Sequence, residues 1–309
     1  MRPLCADEIT GNWATLQLSW TKDERLDLRR VETQVDRLIQ YRVDGIYSSG
    51  TAGEFHCQTE AEFDEVSEML AERCNAVNMN FQIGVSHMSP QISLERLRRV
   101  VPLKPSAVQV ILPDWFPSSE FETITFLKRM AEEAQGIGIV LYNPPHAKRV
   151  LRPIQVATIA KQIPKLVGLK SAGGDANWFR EMREHLQSIS VFIPGHHLAT
   201  GMREGAQGAY SNVACLNPLG AQRWSDLIRS DLQAGLDIEK RLQAFFAKHI
   251  TPYIRDMKYC NAACDRLLAH IGGWTDISPT LRWPYRSIPV GEAERLRPIA
   301  REQLPEFFE

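Results

Sequence analysis

Lys170 closes the apolar run Leu166-Val167-Gly168-Leu169. An ammonium at the end of such a run is partly desolvated, which disfavours its charged form and lowers its pKa. A neutral lysine amine can attack a ketone and form an imine. Once protonated, that imine withdraws electrons, so a C–C bond β to it can break or an adjacent proton can leave. The competing reading is a structural lysine whose ammonium reaches solvent or a carboxylate. Tyr142 ends another apolar run, Gly138-Ile139-Val140-Leu141. A phenol there can shuttle protons to a carbinolamine or a substrate hydroxyl, or it can be a core tyrosine with its hydroxyl paired. Gly50-Thr51-Ala52-Gly53-Glu54 is a Gly-flanked turn whose backbone N–H groups could cradle a carboxylate. Glu54 could be a catalytic acid, but its context favours pairing with loop backbone or a basic neighbour to hold this turn. His196-His197 lacks a carboxylate partner in sequence and is poor evidence for a metal. His146 and Lys148 could contact an acidic substrate or be solvated loop residues. Arg96, Arg98 and Arg99 read as a solvated face or a subunit contact.

Apart from the three arginines, which fall on a helical segment, these residues sit at or just beyond the ends of β-rich runs, and such runs alternate with segments of helical period. The strands are expected at Trp13–Ser19, Gly45–Ser49, Phe81–Ser86, Ala107–Leu112, Gly138–Tyr142, Leu166–Lys170, Val191–Ile193 and Gly208–Asn212. Apolar residues at Val31, Val35, Leu38 and Ile39 recur at helical spacing. Thr59 with Glu62, and Ser119 with Glu122, are capping boxes opening two further helices. Helices are also expected at Ile92–Val101, Pro153–Lys161, Ala176–Leu186, Leu198–Glu204 and from about Pro218. Strict alternation favours a parallel sheet covered by helices. Eight strand–helix units favour a closed (β/α)8 barrel, an α/β TIM-barrel class. No G-x-G-x-x-G follows the first strand, which weakens the dinucleotide-binding alternative. After about residue 237 no β-rich run appears, and Ile238–Ala247, Met257–His270 and Glu292–Arg301 are helical in period. The expected division is a barrel domain over 1–236 and a C-terminal helical segment over 237–309. In such barrels active sites lie at the C-terminal ends of the strands.

The 309 residues carry 36 Lys+Arg against 37 Asp+Glu, a net charge of −1 that excludes a globally basic nucleic-acid binder. No apolar run approaches the length of a membrane span. Met1–Thr10 carries Asp7 and Glu8 and lacks the apolar stretch of a signal peptide. The six cysteines form no C-x-x-C pair and read as thiols in a reducing cytoplasm. A metal site is not expected.

Taken together, Gly50-Thr51-Ala52-Gly53-Glu54, Tyr142-Asn143-x-Pro145, Gly168-Leu169-Lys170, Gly195 and Gly205-x-x-Gly208 occur in one order at successive strand ends. This set resembles the dihydrodipicolinate synthase / N-acetylneuraminate lyase superfamily over roughly residues 10 to 230, and the helical tail also fits it. The resemblance implies a class I mechanism without metal or organic cofactor, in which Lys170 forms the imine with a 2-oxo acid such as pyruvate. Tyr142 would be the proton shuttle, with Thr51 hydrogen-bonding its hydroxyl. Backbone N–H groups around Thr51 and Ala52 would hold the substrate carboxylate, and the backbone carbonyl of Tyr210 would line the site. A homotetramer built as a dimer of dimers is implied as well.

The departures from the synthases are Ala52, where a second hydroxyl is expected, Trp115, where a relay tyrosine is expected, and Ala147, where an arginine is expected. Each argues against the lysine-biosynthetic condensation. On the lyase side, His197 and Asn212 fill the slots that read a hydroxylated tail. His146 and Lys148 could pair with a distal carboxylate, and Trp115 could face an aromatic tail. The expectation is a Schiff-base lyase, aldolase or dehydratase, acting on a small 2-oxo or 2-keto-3-deoxy acid, with no nucleic-acid or membrane partner. The alternative is a non-catalytic 2-oxo acid-binding or sensor protein on the same barrel.

Overall fold

The computed structural model describes residues 1–308. Eight parallel strands close into one barrel in chain order, β1 to β8, with β8 pairing back onto β1. They are β1 (Gly11–Thr15), β2 (Gly45–Ser48), β3 (Phe81–Gly84), β4 (Ala107–Val110), β5 (Gly138–Asn143), β6 (Leu166–Ser171), β7 (Ser190–Pro194) and β8 (Gly208–Ser211). The connecting helices are α1 (Leu28–Gln40), α2 (Glu60–Ala76), α3 (Pro90–Val100), α4 (Glu120–Glu133), α5 (Pro153–Ala160), α6 (Ala176–His185) and α7 (Leu198–Arg203). After β8 come α8 (Val213–Leu216), α9 (Pro218–Ser230), α10 (Leu232–His249), α11 (Thr251–Arg255), α12 (Asn261–Gly272) and α13 (Val290–Gln303). The chain is a (β/α)8 TIM barrel with C-terminal helices.

Side chains on the barrel strands divide by pleat. Ile46, Ile83, Val108, Ile139, Leu169 and Val191 face the helices and merge with their apolar stripes. Trp13, Tyr47, Val140, Phe192 and Tyr210 fill the barrel interior as a separate cluster. Rings of Tyr47 and Tyr210 meet edge-on with centroids 4.9 Å apart, a favourable aromatic geometry. The capping boxes at Thr59/Glu62 and Ser119/Glu122 form as expected, opening α2 and α4.

Several expectations are corrected. β1 stops at Thr15, short of Ser19, because the Gln34 side chain takes over the backbone of Gln17: its Oε1 accepts from Gln17 N at 3.2 Å and its Nε2 donates to Gln17 O at 2.8 Å. Two short helices, α8 and α11, were not expected. Helix α10 begins at Leu232, capped by the Asp231 carboxylate accepting from Ala234 N, and runs unbroken through residues 236 and 237. Arg96 is not on a solvated face. It is fully buried, donates to Ser86 O at 2.7 Å and to Glu60, and lies 4.5 Å from the Phe63 ring centroid.

The tail is locked to the barrel through the turn after β2. Glu54, at a left-handed φ of 49°, is buried and accepts from Trp20 Nε1, from the backbone N of Arg282 and from Arg266 on α12. Arg266 also donates to Leu18 O and Ser278 O. Glu54 thus holds the turn, as its sequence context implied. At the far end of α12, a Cβ added at Gly272 would sit 1.6 Å from Leu216 O, so only glycine lets α12 dock this closely on α8.

Candidate active site

Parallel pairing places β5 and β6 side by side, but their register changes along the way. Ile139 pairs with Leu166, whereas Val140 pairs with Gly168, leaving Val167 as an extra residue. Bulges of this kind re-aim side chains and are frequent beside active sites. Beyond the bulge Tyr142 stands directly opposite Lys170. In the unshifted register Lys170 would instead face Asn143. The bulge therefore brings the amine and the phenol together.

Both open on a cavity of about 270 Å³ at the C-terminal mouth of the barrel. Its floor is aromatic: Lys170 Nζ lies 4.1 Å from the Tyr142 ring centroid, 4.7 Å from that of Tyr47 and 5.0 Å from that of Tyr210. Burial among these rings lowers the Lys170 pKa to about 7, against the opposing pull of Asp265 and Cys215. A substantial fraction of the amine is then unprotonated at neutral pH, which is the nucleophilic form. Thr51 Oγ1 donates to the Tyr142 hydroxyl at 3.4 Å. Burial raises the Tyr142 pKa, with the Thr51 hydrogen bond acting in the other direction. The phenol is accordingly neutral at neutral pH.

The cavity gathers most of the residues singled out in sequence. Lys170, Tyr142, Thr51, Ala52, Tyr210 and Asn212 all line it. The Tyr210 hydroxyl is committed to the interior, donating to Gln82 Oε1 at 2.6 Å. Asn212 faces the cavity beside His196, with its Nδ2 2.9 Å from His196 Nδ1.

Three expected residues lie elsewhere. His197 does not line the cavity; its Nδ1 is 2.9 Å from Gln243 Nε2, and its neighbour His196 takes the cavity position. The one-residue offset arises because the chain turns into a short 3-10 segment at Gly195–His197, where side chains no longer alternate as in β7. His196 stacks on Phe246 with centroids 5.1 Å apart, and burial lowers its pKa to about 4, so it is a neutral imidazole. His146 lies in a separate smaller cavity of about 90 Å³ with Asp114, Lys148 and Arg149, which reaches the main site only through Thr51 and Tyr142. Trp115 is 69% exposed, edge-on to Phe116, and belongs to neither cavity.

The remaining wall comes from the tail: Phe246 from α10, Ile250, Thr251 and Ile254 around α11, and Asn261, Cys264, Asp265 and Leu268 from α12. Sequence reasoning missed these. An aspartate within a helical run reads as solvated, and nothing local in the sequence hinted otherwise. Asp265 instead lines the cavity, half-buried, and burial raises its pKa to about 7 while Lys170 pulls it down. Among the described residues no three His, Cys, Asp or Glu side chains converge as metal ligands do, and no helix is long and apolar enough to cross a membrane.

Comparisons with known proteins fit this architecture. The chain is 23% identical over 305 residues to the N-acetylneuraminate lyase of Citrobacter koseri, covering 98% of this chain and 96% of that one. The structure superposes with a TM-score of 0.84 on YagE, an Escherichia coli K12 prophage protein of the dihydrodipicolinic acid synthase family solved with pyruvate. That match is 19% identical and covers 96% and 98% of the two chains. A catalytic-lysine mutant of the sialic acid aldolase of Ruminococcus gnavus also superposes with a TM-score of 0.84, at 15% identity and 99% and 100% coverage. The sequence model of the dihydrodipicolinate synthetase family matches residues 8–288. With nine-tenths of its length matched, this chain belongs to the dihydrodipicolinate synthetase family.

Proposed function

We propose that the protein is a Schiff-base lyase, an aldolase or dehydratase of 2-oxo or 2-keto-3-deoxy acids, rather than a lysine-biosynthetic synthase. The observation that carries this reading is the Lys170 amine, held near neutral pKa on the cavity floor and in register with Tyr142. Lys170 attacks C2 of the 2-oxo acid. Tyr142, hydrogen-bonded to Thr51, moves protons at the carbinolamine oxygen. Backbone N–H groups at Thr51 and Ala52 hold the substrate carboxylate, and Asn212 with His196 meets hydroxyls of the tail. The imine supplies the electron sink, so the reaction uses no metal or organic cofactor. Ala52, Ala147 and the outward Trp115 remove the polar groups on which a synthase would rely.

We place the enzyme in the cytoplasm as a homotetramer. The free thiols support the first point, and the exposed aromatics Trp115, Phe116 and Phe121 support an interface beside β4. The barrel over 1–236 and the tail over 237–309 act as one unit, since the tail walls the cavity.

The reading is tested by assaying pyruvate release and water loss across a panel of 2-keto-3-deoxy acids. Wild type should turn over at least one of them, and Lys170→Ala none. Full activity in Lys170→Ala would sink the mechanism. Reversible 2-oxo acid binding with no turnover across the panel would favour a sensor, a reading motivated by the same three departures.

A further inference from the structure

Asp265 is the feature that the Schiff-base account leaves unused. It sits on α12 among Asn261, Cys264 and Leu268, on the face turned to the cavity, across from Lys170. Its backbone is fixed: Asp265 O accepts from Gln17 Nε2 at 3.1 Å, and the next residue is the buried Arg266 locked to Glu54. Its carboxyl is turned to the cavity. It is half-buried at the cavity wall, where the one charge acting on it is that of Lys170, whereas Glu54, the fully buried acid at this end, is satisfied by three separate donors. Lys170 is the single basic side chain of the cavity that can be charged at neutral pH, because His196 is held neutral.

We propose that Asp265 is the acid–base partner of Lys170, the source of the proton that Tyr142 hands to the carbinolamine oxygen and that leaves as water when the imine forms. This rests on the Schiff-base reading. Burial pushes the carboxyl up and the amine down, so both shifts favour the uncharged forms, the pair in which the amine is nucleophilic and the carboxyl carries a proton to give. The amine lone pair bonds to C2, and the carbonyl π pair moves to oxygen. Amine, carbonyl and the Asp265 proton give iminium, water and carboxylate. The net charge of the enclosed cavity does not change, and the new carboxylate faces the new cation. It can then accept a proton from C3 as the C–H pair forms the enamine double bond, which restores the carboxyl. The other titratable groups facing this pair are Tyr47, Tyr142 and Tyr210 from the strands and Cys215 and Cys264 from α8 and α12. Burial raises all five, so they stay uncharged through neutral pH.

The test is the time course of borohydride trapping with pyruvate across pH, in wild type, Asp265→Asn and Asp265→Glu. Asp265→Asn should still give the adduct on Lys170, but about 100-fold more slowly, the scale typical of a lost general acid. The alkaline fall-off of the wild-type rate should vanish in it, and Asp265→Glu should restore part of both. A wild-type rate and pH profile in Asp265→Asn would overturn the proposal while leaving the Schiff-base reading intact. Absence of a wild-type adduct with pyruvate and with longer 2-oxo acids would instead bring down that reading. If Asp265→Asn does not fold, infrared difference spectra of wild type decide. Loss of a protonated-carboxyl band on imine formation supports the assignment, and no change in that band overturns it.

Discussion

At the residue scale the account turns on one amine. Lys170 is lowered to about 7 by burial, so its neutral fraction climbs as pH rises through that value. Adduct formation should climb over the same window on its acid side, and a trapping rate that is flat from acid to neutral pH would contradict this. The same shift affects stability. The folded pKa lies below the ordinary 10.5, so the unfolded chain binds more protons between about 7 and 10.5, and this group makes stability rise with pH across that window. Asp265 acts oppositely. Its folded pKa lies above the ordinary 3.8, so its contribution falls as pH rises from about 4 to about 7. Lys170→Met removes the buried amine. It should raise Tm at neutral pH while abolishing the adduct, a trade of activity for stability that thermal unfolding would measure. Tyr142→Phe should slow turnover strongly and leave Tm nearly unchanged, since it keeps the ring and removes a hydroxyl with a single long hydrogen bond.

At the element scale, α12 decides whether the site is complete. Arg266→Met would strand the Glu54 carboxylate, with only Trp20 and the Arg282 backbone N as donors. Breaking one side of a buried pair costs about 3–5 kcal/mol. The double variant Arg266→Met/Glu54→Leu should recover much of that loss in urea unfolding, because it leaves no unpaired charge. Gly272→Ala should be destabilising in the same assay, since its Cβ meets the Leu216 carbonyl. The strands and helices were largely legible in the sequence because apolar runs, helical spacing and capping boxes are local signals. What escaped was set by contacts between distant segments. The Gln34 side chain that ends β1, the bulge at Val167 that pairs Tyr142 with Lys170, and the 3-10 turn that exchanges His197 for His196 leave no periodic trace. Arg96 misled for the same reason, since its partners Glu60 and Ser86 come from other elements.

At the scale of the whole molecule, the barrel carries the candidate site and the tail walls its cavity. Lys170, Tyr142 and Thr51 stood out as candidates because they lie at or just beyond strand ends in a familiar order. The α12 wall was not, because closure of the cavity depends on how the last helices pack across the barrel mouth. A chain cut after residue 236 would lose most of α10, all of α12 and the Arg266–Glu54 lock, so it should fail to trap pyruvate even where its barrel stays folded. In the intact protein, light scattering should report a tetramer. Phe116→Glu with Phe121→Glu should reduce that mass, because charge is placed on an exposed aromatic patch.

The central claim is that Lys170 forms a covalent imine, and borohydride reduction with pyruvate tests it most directly. Intact mass should rise by one reduced pyruvate per chain, peptide mapping should place the adduct on Lys170, and Lys170→Ala should show none. No adduct with pyruvate or any longer 2-oxo acid, or an adduct on another lysine, would contradict the account.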